Sequence, residues 1–337
     1  MANKLLIYDS KPYEFELFRG AVNESYAGLS LEFQEAKLDA RTAALARGCR
    51  AVCLFVHDSA DAAAIERLAE YGVELIALRC AGFNNVDLTK AAECGIRVVR
   101  VPEYSPYAVA EHTMALLLTV NRKTHRAYSR VRDNNFSLNG LIGFDLHGKT
   151  VGVIGTGKIG KRFIQIAQGF GCRVIAYDLY PDHQFAQERG IEYHDLPSLY
   201  GQSDVISLHA PLTPETHHLV NADSLAQMKP GVVLLNTSRG PLIDTQPLID
   251  ALKSGQVRAA GLDVYEEEDQ YFFEDFSNQV LQDDQLARLL SFNNVVITAH
   301  QAFLTEEALS NIINTTLTNV QAFYQGSELQ HLVSATN

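Results

Sequence analysis

Val151-Gly-Val-Ile-Gly155-Thr-Gly157-Lys158-Ile159-Gly160 decides the reading of this 337-residue chain. A short apolar run, Val151–Ile154, leads straight into Gly-x-Gly-x-x-Gly and then into a helical pattern. Gly155 permits a tight turn, Gly157 lets the backbone approach a pyrophosphate, and Gly160 lets helix and strand pack closely. The helix that begins here aims free N–H groups and a partial positive charge at the same place. The next strand, Arg173–Tyr177, ends at Asp178, 18 residues beyond Gly160. A carboxylate there accepts hydrogen bonds from ribose hydroxyls and repels a 2′-phosphate, so the pattern selects NAD over NADP.

On both sides of this motif, short apolar runs alternate with helical patterns. Leu5–Tyr8, Ala51–Val56, Leu75–Leu78 and Arg97–Val99 read as strands before it, with helices at Ala60–Tyr71 and Leu88–Cys94. Pro106 to about Arg132 reads as one long helix. After Gly148 the strands are Val151–Ile154, Arg173–Tyr177, Val205–His209, Val232–Asn236, Ala259–Leu262 and Val295–Thr298, and a last helix runs from about Thr305 to Gln325. Alternation of this kind predicts two α/β domains, each a parallel sheet covered by helices.

The composition agrees with a well-packed chain: 47% of residues are hydrophobic and 20% charged. The net charge of −12 argues against a broadly basic surface for nucleic acid or anionic lipid. Five cysteines without a CxxC pair predict neither a disulfide framework nor a structural zinc site. The start lacks a signal-peptide core, and no apolar run approaches the ~20 residues of a membrane span, so the expected location is cytoplasmic. Much of the acidity is local. Ala259 to Ala287 holds nine acids and no Lys or Arg, leaving −3 for the remainder.

In doubly wound folds, ligands sit at the carboxyl ends of strands. Val232–Asn236 is followed by Thr237-Ser238-Arg239-Gly240, Ala259–Leu262 by Asp263 with Glu268 beyond, and Val295–Thr298 by Ala299-His300. Arginine, carboxylate and histidine therefore emerge at one sheet edge. These types suit hydride transfer to a 2-keto acid. Arginine forks onto a carboxylate, histidine delivers the proton the reduced oxygen needs, and the acid favours the imidazolium. Each has a plainer reading alone: a solvated arginine, an acidic surface run (Glu266-Glu267-Glu268-Asp269), a core histidine. His217-His218 reads as a surface pair, and no metal-ligand spacing is found.

Several stretches together resemble the D-isomer-specific 2-hydroxyacid dehydrogenase family, and within it the fermentative NAD-dependent D-lactate dehydrogenases of bacteria. They are Ala77–Asp87 (ALRCAGFNNVD), Val101–Pro106 (VPEYSP), Val153–Gly160, Asn236–Gly240 (NTSRG), Leu262–Glu266 (LDVYE) and Thr298–Phe303 (TAHQAF). The resemblance covers nearly the whole chain. It implies a flavodoxin-like substrate domain from 1–103 and 300–337, and a Rossmann NAD-binding domain from 104–299. It implies NADH-dependent reduction of pyruvate to D-lactate in a cleft between them, without a metal, by a homodimer or homotetramer. Its pattern makes Arg239 the carboxylate-binding residue, His300 the acid/base and Glu268 its partner. Ala81, Gly82, Tyr104 and Phe303 become substrate contacts, Phe303 standing where some relatives carry a tyrosine. Gly155, Gly157, Lys158, Ile159, Gly160, Asp178, Ala210, Pro211, Thr216, Thr237, Ser238 and Asp263 become cofactor contacts, with Thr216 where relatives often carry Asn. The apolar face of the Tyr107–Val120 helix is a candidate subunit contact. Two other readings stand beside this one: a relative acting on a larger 2-keto acid, and a non-catalytic NAD-sensing protein of co-repressor type.

Overall fold

The computed structural model describes residues 3–26 and 28–334. The strands in chain order are β1 (Asn3–Ile7), β2 (Leu29–Phe33), β3 (Ala51–Leu54), β4 (Leu75–Leu78), β5 (Arg97–Val99), β6 (Thr150–Ile154) and β7 (Arg173–Tyr177). They continue as β8 (Glu192–Tyr193), β9 (Val205–Leu208), β10 (Val232–Asn236), β11 (Val257–Leu262), β12 (Val295–Ile297) and β13 (Leu332–Val333). The chain forms two compact units, one of Met1–Ser105 with Leu304–Asn337, the other of Pro106–Phe303.

The first unit holds a six-stranded sheet ordered β13-β5-β4-β3-β1-β2. Without β13 this is the 2-1-3-4-5 order of flavodoxin-like folds. All pairings among β1–β5 are parallel, and only β13 runs antiparallel, at the edge beside β5. β3 and β4 are buried along their whole length, which is why they read as unbroken apolar runs rather than alternating ones. Helix α1 (Pro12–Ser25) starts at a first-turn proline, and Glu14 Oε2 accepts from the Lys11 amide in a capping box. The other Glu14 oxygen, Oε1, accepts from Nε of Arg79 at 2.8 Å. Arg79, at the end of β4, is among the largest fully buried side chains, and its Nη2 also donates to Asp9 O at 2.7 Å.

The second unit holds a seven-stranded, all-parallel sheet ordered β12-β11-β10-β9-β6-β7-β8. Counted from β6, this is the Rossmann order with a seventh strand added. The expected long helix is broken in two, Pro106–Arg122 and Thr124–Arg132. Lys123 between them takes a left-handed conformation (φ 52°), which a right-handed helix cannot pass through, and its Nζ donates to Ile142 O. The apolar side of Pro106–Arg122 (Ala110, Met114, Leu117, Val120) is core within this unit, packed with Phe163, Ile164 and Ala167 of the helix after the glycine motif. That face is thus covered by the chain itself. The sequence reading missed α1, β2, β8 and β13; the last three are short edge strands with weak periodicity. None of the five cysteines forms a disulfide. Among the described residues no helix is long and apolar enough to cross a membrane.

Candidate active site

The glycine motif forms a cradle. Gly155 has φ +94°, and a Cβ there would lie 2.6 Å from the His209 carbonyl carbon. A Cβ on Gly160 would lie 2.0 Å from Gly155 O. Gly157 differs: its φ of −65° suits any residue, and a Cβ there would meet nothing within 4 Å. Glycine at 157 leaves open the space in front of the helix Lys158–Gly169, whose N-cap carries no side-chain hydrogen bond. Open space in front of a helix N-terminus is what a pyrophosphate requires. Asp178, half-buried at the end of β7, fits beside it. Its Oδ2 accepts from Thr156 N at 2.6 Å and Thr156 Oγ1 at 2.9 Å, and Tyr193 Oη stands 2.8 Å from the same hydroxyl. Its Oδ1 accepts from Tyr180 N, and a carboxylate oxygen retains capacity for a further donor. The residues present therefore fit a dinucleotide. Beneath the loop, the His209 ring packs 5.2 Å from Phe163 with Nε2 2.9 Å from Ser207 Oγ, and burial pushes its pKa down to about 3.

Three neighbouring strands supply the polar groups. β10 ends at Asn236, whose side chain donates to Arg239 O and accepts from Ser238 N, fixing the turn that carries Arg239. Ser238 Oγ donates to Ala210 O, and Thr237 Oγ1 lies 2.7 Å from the buried Thr113 hydroxyl. Gly240 then lies directly against the turn after β11: a Cβ there would sit 2.0 Å from Tyr265 O and 2.6 Å from Glu266 N. The arginine turn and the glutamate turn are in backbone contact, and only glycine permits it.

In that second turn, Glu268 Oε2 accepts from the Tyr265 amide at 2.8 Å, and Oε1 is 2.6 Å from His300 Nδ1. His300 itself has φ +49°, uncommon outside glycine, and is held there by its N–H to Asp263 O at 2.7 Å. Asp263, expected among the cofactor contacts, is fully buried. Its carboxylate accepts from Thr298 Oγ1 at 2.5 Å, Gln301 N and Ala302 N, so it shapes the loop carrying His300. Thr298 Oγ1 also lies 3.0 Å from His112 Nε2. Its one hydroxyl proton serves Asp263, so His112 is the donor in that pair.

The acidic run is sorted by the fold. Glu266 Oε1 is 2.6 Å from His218 Nε2, and Oε2 accepts from Thr245 N and Oγ1. Burial raises the Glu266 pKa, but the bonds from Thr245 and His218 outweigh it and hold the carboxyl below its ordinary value. His217 stacks on His218 at 3.9 Å, so the expected surface pair is anchored to the active-site turn, with its donor atoms and those of Glu266 within 4.8 Å of one another. Thr216 Oγ1 is used inside its own loop, donating to Pro211 O at 2.7 Å.

In the first unit, Ala81 and Gly82 follow β4. Ala81 O accepts from Arg100 Nη1, and Gly82 O from Cys80 Sγ, which leaves neither amide in those bonds. Tyr104 O accepts from Asn311 Nδ2. His112, Thr113 and Tyr193 escaped the sequence reading as site residues, and His218 was read only as part of a surface pair. The partner of His112 is 186 residues away, and no local pattern signals it.

Residues 114–302 match the family described as D-isomer specific 2-hydroxyacid dehydrogenase, NAD binding domain. The chain is 54% identical over 323 residues to the D-lactate dehydrogenase of Escherichia coli K12, covering 96% of this chain and 97% of that protein. The structure of the pyruvate reductase of Chlamydomonas reinhardtii superposes with TM-score 0.92 at 46% identity, covering 98% of each chain. The apo-structure of the Escherichia coli D-lactate dehydrogenase gives 0.90 at 49% identity, with 98% and 99% covered. The chain belongs to the D-isomer specific 2-hydroxyacid dehydrogenase family and carries that family's NAD-binding domain.

Proposed function

We propose that this protein is a D-lactate dehydrogenase: pyruvate + NADH + H⁺ ⇌ D-lactate + NAD⁺. The observation that carries the reading is the Glu268–His300 pair, 2.6 Å apart at the carboxyl edge of the sheet that also holds the glycine cradle. Bound NADH supplies the hydride. Arg239 forks onto the substrate carboxylate and polarises the neighbouring ketone. His300, its Nδ1 engaged by Glu268, presents Nε2 as the atom that hands a proton to the carbonyl oxygen as that oxygen becomes a hydroxyl. In the reverse direction Nε2 takes the proton back. Asp178 receives the ribose hydroxyls, Gly155–Gly160 the pyrophosphate, and Ala210, Pro211, Thr216, Thr237 and Ser238 lie along the path between adenosine and nicotinamide. Asp263 acts through the His300 loop.

We read the unit built from both chain ends as the substrate domain, and take Ala81, Gly82, Tyr104 and Phe303 as substrate contacts. We place the enzyme in the cytoplasm as a homodimer or homotetramer. The exposed apolar side chains of Tyr128, Val131, Phe136, Leu138 and Ile142 support self-association. Sedimentation velocity tests this, and a monomer at micromolar concentration refutes it. The functional reading is tested by kcat/KM across pyruvate, 2-ketoisocaproate and phenylpyruvate with NADH, and by chiral analysis of the product. Pyruvate as the poorest substrate, or L-lactate as the product, refutes it.

A further inference from the structure

The turn that supplies Glu268 goes on to place an aromatic ring beside the same histidine. Glu268 O accepts from the amides of Tyr271 at 3.0 Å and Phe272 at 2.9 Å, closing a tight turn. Phe272 then enters the core of the second unit, only 6% exposed. An extended chain would send Phe273 to the opposite side. Instead Phe273 takes φ +68°, a left-handed conformation that is an outlier for a bulky side chain. The reversal brings its ring to 6.2 Å from the His300 ring, centroid to centroid, at 35°. That separation is within the range of direct aromatic contact. His300 is also in a left-handed conformation (φ +49°). Two strained residues thus face each other, and one six-residue segment, Glu268–Phe273, holds the imidazole by a carboxylate on one ring nitrogen and by a phenyl ring alongside. Strain of this kind persists only where surrounding structure enforces it, and it concentrates at functional sites.

We propose that Phe273 is a positioning residue for the acid–base step, holding the His300 imidazole in the pose that aims Nε2 at substrate and excluding water from one side of the ring. The inference rests on the reading of His300 given above. Its test uses the full-length protein and two variants. Phe273→Gly removes the ring and suits the left-handed backbone, so it should melt within a few degrees of the parent. Phe273→Tyr keeps the ring.

In F273G, kcat for pyruvate reduction should fall by about 10- to 100-fold, the scale of loss when a reacting group is misplaced by about an ångström, with KM for NADH unchanged within about twofold. F273Y should recover to within about threefold of the parent by retaining the aromatic contact. F273G turning over like the parent overturns the inference, and so does F273Y as slow as F273G. A crystal structure of F273G reads the inference without turnover. A His300 ring rotated away from Glu268 supports it, and a ring that keeps the parent pose refutes it. If the parent itself reduced no 2-keto acid, the functional reading would fall and this structural comparison would still decide the role of Phe273.

Discussion

Glu268 Oε1 lies 2.6 Å from His300 Nδ1, while Glu266, two residues earlier, lies 2.6 Å from His218 instead. The fold thereby separates carboxylates that are indistinguishable in the acidic run. His300→Gln should lower the reduction rate by roughly 10²–10⁴, the usual worth of a general acid. Glu268→Gln replaces the carboxylate that faces His300 Nδ1 with a neutral amide and should lower kcat for pyruvate reduction at least about tenfold. Glu266→Gln, whose carboxylate faces His218 instead, should leave kcat close to the parent's. Steady-state kinetics distinguishes the two, and a loss with E266Q rather than E268Q would reverse the assignment.

The contact of Gly240 with Tyr265 and Glu266 is backbone against backbone, so no side chain can rotate away. Gly240→Ala must separate the arginine turn from the glutamate turn. Overpacking of this kind costs about 1–3 kcal/mol. Because Arg239 is the adjacent residue, kcat/KM for pyruvate should fall at least about tenfold. Denaturation and kinetics on one preparation check both, and parent-like values for the variant would show that the contact relaxes freely.

Asp178 has two tasks, facing the space at the end of β7 and receiving the Thr156 amide and hydroxyl from the glycine loop. Asp178→Ala should weaken NADH strongly and NADPH less, because it also removes the repulsion of a 2′-phosphate. Thr156→Val keeps the acid and disturbs only its anchoring, so it should weaken both cofactors alike. The ratio of kcat/KM for NADH over NADPH is the readout, and an unchanged ratio in D178A would remove Asp178 from ribose recognition.

Arg79 and Glu14 form a buried ion pair, with side chains 0% and 6% exposed. Glu14→Gln leaves the guanidinium buried without its counter-charge and should destabilise the protein by about 3–5 kcal/mol. The double replacement Glu14→Leu with Arg79→Met should recover most of that loss. Urea midpoints decide it, and an E14Q midpoint equal to the parent's would show that the pair contributes little.

Burial pushes the Asp58 carboxyl up to about 6, against the hydrogen bonds it accepts from the amides of Leu38 and Phe55. Its folded pKa thus exceeds its unfolded one, near 3.9. Between those values the folded state binds the proton and the unfolded state does not, so stability falls as pH rises. Asp58→Asn cannot titrate. The stability of D58N relative to the parent should increase from pH 4 to pH 6 and level off above. A difference that is flat across this range would show that the acid is not shifted.

Local sequence determined the elements and the class of chemistry. Gly155, Gly157 and Gly160 are legible because a strand–turn–helix cradle requires those residues within ten positions. The buried strands are legible because both of their faces are apolar. Arg239, Glu268 and His300 could be brought to one edge by the strand-end rule alone, since it needs only chain order. Tertiary structure decided what depends on side chains meeting across the chain. It chose Glu268 over Glu266, buried Asp263 as the support of the His300 loop, joined His112 to Thr298, and turned Phe273 back onto His300. It also broke one apparent helix at Lys123, where apolar periodicity continues on both sides but the backbone reverses hand. Periodicity and glycine spacing are local, so they survive reading in one dimension. Hydrogen-bond partners tens to hundreds of residues apart, and backbone strain enforced by packing, exist only once the chain has closed on itself.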